Sequence, residues 1–187
     1  MRFWTSDIHI GHEAIRTYTQ RPWDSVESMN KGLIDRWNDT VTDSDIVIIA
    51  GDFAMGKISE SLAVAERLNG AKKFLVPGNH DRCWQGARDP EKWVRRYEEV
   101  GFTILPSVTL ASIGNHTVKV CHFPYEMHDQ RYSDFHPKDE GDVIIHGHVH
   151  DTWRVKGRQI NVGCDVWGWR PVTDDELIPI LDRIEHE

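Results

Sequence analysis

Long hydrophobic runs are missing from this 187-residue chain. The longest unbroken apolar stretch is Ile46-Val47-Ile48-Ile49-Ala50, whereas a bilayer-spanning helix needs about 20 such residues. A membrane-spanning helix is therefore excluded, and no membrane partner is expected. The opening residues, Met1 to Asp7, lack the apolar core and cleavage site of a secretory signal, so the cytoplasm is the expected compartment. Cysteine is scarce too: Cys83, Cys121 and Cys164 are odd in number, far apart and without a Cys-x-x-Cys pair. That argues against a disulfide framework and for reduced thiols buried as small hydrophobes. Positive charge is in deficit, 22 Lys and Arg against 30 Asp and Glu, for a net charge of −8. Such a chain has no general basic field for gripping long nucleic acid, although a local basic groove stays open. Repeats, low-complexity tracts and linkers are absent, and the length suits a single domain over residues 1–187.

The remaining pattern predicts an α/β protein with a mixed sheet. Phe3-Trp4-Thr5, Ile46 to Ala50 and Lys73 to Val76 read as buried strands. Between them, Asp24 and Glu27 have capping-box spacing ahead of a helix whose apolar stripe is Val26, Met29, Leu33 and Trp37. A second helix is expected from Ser59 to Asn69, with Leu62, Ala65 and Leu68 inward, and a third opens at Asp89-Pro90 as N-cap and N1. After Gly101 the strands dominate: 102–105, 108–113, 117–121 and 143–145, with hairpin turns at Gly114-Asn115 and Lys156-Gly157. Thr173 and Glu176 form a second capping box, before a helix that Pro179 should end early.

Histidine is abundant, with 11 residues, and five of them follow strands. Strand one ends in Asp7-Ile8-His9, strand two in Gly51-Asp52, and strand three in Gly78-Asn79-His80-Asp81. Later strands end in His122 and in Gly147-His148-Val149-His150. Strand ends of an open α/β sheet are where loops leave a rigid platform and sites are built. Five segments thus carry carboxylate, imidazole and amide groups toward one edge, a donor set suited to Mn²⁺, Fe or Zn²⁺ rather than Ca²⁺.

This ordered set resembles the signature of the calcineurin-like metallophosphoesterases over residues 7–150. The segments Cys121 to Tyr125 and Asn161 to Trp167 further resemble a compact bacterial and bacteriophage subgroup, with phage phosphodiesterases of 2′,3′-cyclic nucleotides among its members. The resemblance implies a β-sandwich of mixed sheets flanked by helices, with two divalent cations, Mn²⁺ first and Fe, Zn²⁺ or Ni²⁺ as alternatives. Asp7, His9 and His150 would hold one cation, Asn79, His122 and His148 the other, and Asp52 would bridge them. A hydroxide shared by the cations would attack a small-molecule phosphodiester, with His80 protonating the leaving oxygen or stabilising charge as imidazolium. Asp81 would orient the His80 ring, its alternative being a turn-stabilising carboxylate. Phosphomonoester or dinucleoside polyphosphate hydrolysis fits the same motifs, and a non-catalytic metal-binding scaffold is the reading from another class.

Residues beyond the motifs divide by context. His12 and Arg82 are candidate substrate contacts, with Arg16, Arg21 and Arg131 as weaker phosphate-binding candidates. His146 is expected near the site or in a polar pocket, His128 and His136 at a rim, and His116 and His186 in solvent. Trp4, Trp37 and Trp93 read as core, leaving Trp167 and Trp169 as candidates for stacking a base.

Overall fold

A computed structural model describes residues 1–125 and 130–186. His128 lies outside them, and so does the side chain of Arg131. The first half alternates strand and helix. Strands β1 (Arg2–Thr5), β2 (Ile46–Ile49), β3 (Lys72–Leu75) and β4 (Phe102–Ile104) run parallel in that order. The second half supplies another sheet from β5 (Val108–Ile113), β6 (His116–Cys121), β7 (Val143–His146), β8 (Val155–Lys156) and β9 (Gln159–Asn161), ordered β5-β6-β7-β9-β8. Here β6, β7 and β9 are parallel while β5 and β8 pair antiparallel at the edges. A short β10 (Val172–Thr173) returns to pair antiparallel with β1, so both sheets are mixed.

Strand alternation distributes the core. Phe3, Val47, Ile49 and Leu75 face α2 (Val26–Thr40), α4 (Pro90–Glu99) and the segment 58–68 between them. Trp4 and Ile48 point the other way, against Val118, Val120, Val143, Ile145 and Ile160 of the second sheet. The result is a β-sandwich of two mixed sheets with helices on its flank. Leu177 and Leu181 of α5 (Asp174–Glu185) join the inter-sheet core. The three cysteines are free and buried, and among the described residues no helix is long and apolar enough to cross a membrane.

Several local expectations are corrected. Ser25, not Asp24, caps α2: its hydroxyl accepts from Ser28 N, and Ser28 Oγ accepts from Ser25 N. The segment after Lys57 is one turn of α3 (Ile58–Ser61) followed by a 3-10 helix over Leu62–Arg67. Its buried residues Leu62, Ala65 and Leu68 recur every three positions, which is the 3-10 period rather than the α period. Asp89 precedes Pro90 but makes no side-chain cap, its φ of 53° placing it in the left-handed region. Pro179 does not end α5. It lies on the exposed face, where water can satisfy the carbonyl it leaves unpaired, while Leu177 and Leu181 hold the helix to the core. The short α1 (Ile15–Tyr18) and β10 were not legible as elements.

Two assignments by exposure also change. His116 is buried, its ring held between Asp182 (2.9 Å) and Glu185 (2.8 Å) of α5. Trp167 has no free face: its indole packs in the inter-sheet core, donates to Asn161 O at 2.8 Å, and lies under Arg154. Trp169 packs edge-on against Trp23 with Arg36 over its ring.

Candidate active site

The parallel strands β1, β2 and β3 of one sheet and β6 and β7 of the other end at a common edge. Each continues into a turn that carries a proposed ligand. Backbone pairing holds these turns together: Asp7 N donates to Gly51 O at 3.0 Å, His9 N to Asp52 O at 3.0 Å, and Gly147 N to His122 O at 3.0 Å. Asp7, His9, Asp52, His148 and His150 all have φ between 49° and 70°, the left-handed region that non-glycine residues seldom occupy. They are five of the eight such residues described, and strain of this kind concentrates where a site needs side chains aimed against local preference.

Close packing leaves no room for extra atoms behind the carboxylates. A Cβ on Gly147 would stand 1.9 Å from Ser6 Oγ and 2.3 Å from Asp7 Oδ2, and one on Gly78 would stand 2.3 Å from Asp52 Oδ1. These glycines in the sequence motifs serve contact as well as turning.

The side chains converge into two groups with metal-ligand spacing: Asp7, His9 and His150, and Asp7, Asp52 and His122. Asp52 Oδ2 lies 3.6 Å from His9 Nε2 and 3.3 Å from His122 Nε2, between the two groups. Asp7 belongs to both groups, and Asp52 stands between His9 and His122. Asn79 Oδ1 approaches His122 Nε2 to 3.1 Å. His148 joins neither group; its ring stands 5.2 Å from that of His122 and 4.8 Å from Phe123, and its N–H supports both oxygens of Asp7.

The donor chemistry fits a cation. His122 Nδ1 donates to Ala50 O at 2.8 Å, so a neutral ring turns the Nε2 lone pair toward two oxygens, those of Asn79 and Asp52. A positive charge there, either a proton on the ring or a metal ion, would satisfy both oxygens. Without metal, burial resists the proton, but Asp52, Asp7 and the Ala50 carbonyl together push His122 up to about 9. Both ring nitrogens of His9 are buried with no hydrogen-bond partner among the described residues, and burial holds this imidazole well below its usual range, hence neutral and ligand-ready. Asp52 stays ionised: burial opposes this, but His122, His9 and His80 hold its carboxyl below the ordinary range.

A family model for the calcineurin-like phosphoesterase superfamily domain matches residues 3–165. The chain belongs to that superfamily. It is similar to the Gene 66 protein of Mycobacterium phage L5, with 32% identity over 99% of this chain and 96% of that one. An uncharacterised protein of Methanocaldococcus jannaschii is 30% identical over 95% of this chain and 89% of its own. A solved structure of a protein of unknown function from Aquifex aeolicus shares the fold, with a TM-score of 0.71, 23% identity, and coverage of 96% of this chain and 98% of that one.

Around the phosphoesterase site lie residues whose roles were misread or missed. The expected pairing of Asp81 with the His80 ring is not formed among the described residues. Asp81 is buried and accepts from the N–H groups of Asp52 (2.8 Å), Gly78 (2.9 Å) and Phe53 (3.1 Å). A carboxylate so engaged braces the β2 and β3 turns against each other. Burial and the Asp52 charge push it up to about 7, against those three donors. His80 is anchored through its N–H to Asp52 Oδ1 (2.8 Å), and its ring, 36% exposed, sits 5.3 Å from His9 and 6.2 Å from His12. His12 stands at the rim against His9, with Nδ1 unpartnered.

Arg21 is not available to substrate. Its buried guanidinium clamps Asp165 (2.7 and 3.0 Å) and donates to Ile8 O (2.8 Å) and Asp7 O (2.7 Å). Asp165 in turn lies 3.4 Å from His150 Nδ1. This carboxylate, which no spacing in the sequence marks out, supports His150 as carboxylates support ligating histidines generally. Arg16 is likewise engaged, with Glu13 and Trp23 O. His146 is fully buried beside Trp153, held neutral at about 3 by burial. His136 donates to Pro124 O and packs on Phe123, near the His148 ring, and His186 is exposed.

Proposed function

We infer that the protein is a dinuclear-metal phosphodiesterase acting on small phosphodiesters, with 2′,3′-cyclic nucleotides as the first class to examine. The observation that carries the hydrolytic reading is the unpartnered, neutral His9 beside two groups of buried carboxylate and imidazole donors, with the accessible His80 at their edge. Asp7, His9 and His150 would hold one cation; Asp52, His122 and Asn79, with His148 adjacent, would hold the second. Two such ions supply Lewis acidity toward phosphoryl oxygens and a nucleophile at neutral pH, and mixed nitrogen and oxygen donors suit Mn²⁺, Fe or Zn²⁺. The chain's own residues do the rest. His80 faces the phosphoester from the solvent side and delivers a proton to the departing oxygen, or opposes its charge as imidazolium. Asp81 holds the two turns so that Asp52 and His80 keep their separation. Arg21 and Asp165 fix the backbone of Asp7 and the ring of His150.

Preference for a diester is supported by the resemblance of Cys121 to Tyr125 and Asn161 to Trp167 to the compact phage subgroup. The test is turnover by Mn²⁺-loaded protein of bis-p-nitrophenyl phosphate against p-nitrophenyl phosphate, which share a leaving group. Faster hydrolysis of the diester is the expected result. Preference for the monoester would replace this reading with a phosphatase, and turnover of neither, nor of 2′,3′-cyclic nucleotides, would replace it with a metal-binding scaffold.

A further inference from the structure

We propose that the cleft beside His80 is a leaving-group subsite that selects phosphoesters whose departing group carries a second negative charge, with Arg82 its main contact and Arg88 its second. The inference rests on the reading above, in which His80 faces the leaving oxygen. A cavity of about 290 Å³ is lined by Asn79 and His80 together with both arginines. On that reading a group departing past His80 would enter the space that His80 lines. The rest of the lining is uncharged except for Asp81, whose carboxylate is buried and already accepts three backbone N–H groups. The cleft is therefore a local positive surface on a chain of net charge −8.

Arg82 is built for the role. Its backbone N–H is tied to Tyr97 Oη at 3.2 Å, and its guanidinium stands 5.9 Å from the Trp93 ring centroid. Among the described residues no carboxylate pairs with that guanidinium. An aromatic face beside a planar cation limits its swing while leaving its N–H donors free for a planar or tetrahedral anion. Among the described residues Arg88 pairs with the exposed Asp89, at 3.7 Å between two solvent-facing side chains, a contact worth little and easily exchanged. The reacting phosphoryl group is the business of the histidine and carboxylate cluster, so these arginines serve another anion. The substrate class they fit is a phosphoester of an alcohol that carries a further phosphate or carboxylate, which among 2′,3′-cyclic nucleotides means those bearing a 5′-phosphate.

The test is equilibrium binding rather than turnover. Titration calorimetry on the Mn²⁺-loaded protein would compare phenylphosphonate with 1,4-phenylene bisphosphonate, neither of which is hydrolysed. The wild-type protein should bind the bisphosphonate about tenfold more tightly or better, the scale of one charge-assisted hydrogen bond. In Arg82→Gln that ratio should fall toward two, the statistical value for a ligand with two equivalent ends, and Arg88→Gln should lower it less. Phenylphosphonate serves as the internal control for an intact fold and metal site. A wild-type ratio near two, or a high ratio that survives in the Arg82→Gln/Arg88→Gln double variant, would overturn the proposal. Absence of phosphoesterase turnover with a high, arginine-dependent ratio would instead sink the catalytic reading and leave the subsite standing.

Discussion

Replacing Arg21 with Met tests whether the metal-facing turns are held by a buried ion pair. The guanidinium and the Asp165 carboxylate are essentially inaccessible, 0% and 1% exposed. The substitution removes two hydrogen bonds to Asp165 and two to the carbonyls of Ile8 and Asp7, leaving Asp165 as a buried charge whose remaining partners are the Thr19 hydroxyl at 3.1 Å and the His150 ring. Breaking such a pair on one side costs about 3–5 kcal/mol, because the surviving charge is stranded without solvent. For a chain of this size each kcal/mol lowers Tm by about 2–4 °C, so a fall of roughly 6–20 °C is expected. The melt should be run with EDTA, since metal binding to the native state would otherwise add its own stabilisation. Arg21→Met/Asp165→Leu should recover most of that loss, as apolar replacement of a whole buried pair is commonly near neutral. The double variant should still bind metal more weakly, through His150. A loss below about 1 kcal/mol in Arg21→Met would refute the reasoning, since a stranded buried carboxylate cannot be that cheap.

Three further outcomes are expected. Asp52→Asn should lower metal occupancy and turnover together, whereas His80→Ala should keep the metal, by elemental analysis, and lose about 10²–10⁴-fold in kcat; undiminished rates on several phosphoesters in His80→Ala would remove its assigned role. Gly147→Ala should destabilise the protein and weaken metal binding, because its Cβ meets Ser6 and Asp7 rather than a flexible side-chain end; a melting curve and metal titration that match wild type would contradict the packing. His116, raised above its ordinary 6.5 chiefly by Glu185 and then by Asp182, stabilises the docking of α5. Because the native value is the higher one, that stability is complete below about pH 6.5 and fades as pH climbs through the native value. The urea midpoint of wild type should therefore exceed that of His116→Asn more at pH 5.5 than at pH 9, and a gap independent of pH would show the ring is not charged.

What was legible in the sequence is the chemistry that recurs after strands. The convergence of Asp7, His9, Asp52, Asn79, His122 and His150 was readable because a strand ends, a polar side chain follows, and parallel strands end together. Supporting residues were not. Asp165 and Arg21 are 144 residues apart, and only the folded chain puts them in contact. His116 looked like a solvent-facing hairpin residue because nothing in its own strand shows that α5 will cover it. The 3-10 segment was read as α because Leu62, Ala65 and Leu68 fit both periods at that length.

Asp81 is instructive, because its hydrogen bonds match the turn-stabilising alternative and not the pairing with the His80 ring. A carboxylate next to a working histidine invites a ring–carboxylate pair, yet a residue immediately after His80 in a tight turn is better placed to reach backbone. Its three N–H donors belong to Asp52, Phe53 and Gly78, flanking the positive-φ Asp52. A non-glycine residue in that region costs of order 1–3 kcal/mol, and it persists only where surrounding bonds over-determine it. The ligand turn of β2 is thus kept in its strained shape from the turn of β3. Asp81 braces the turn that carries Asp52, and His80 is anchored to the same residue, through the backbone bond from His80 N to Asp52 Oδ1.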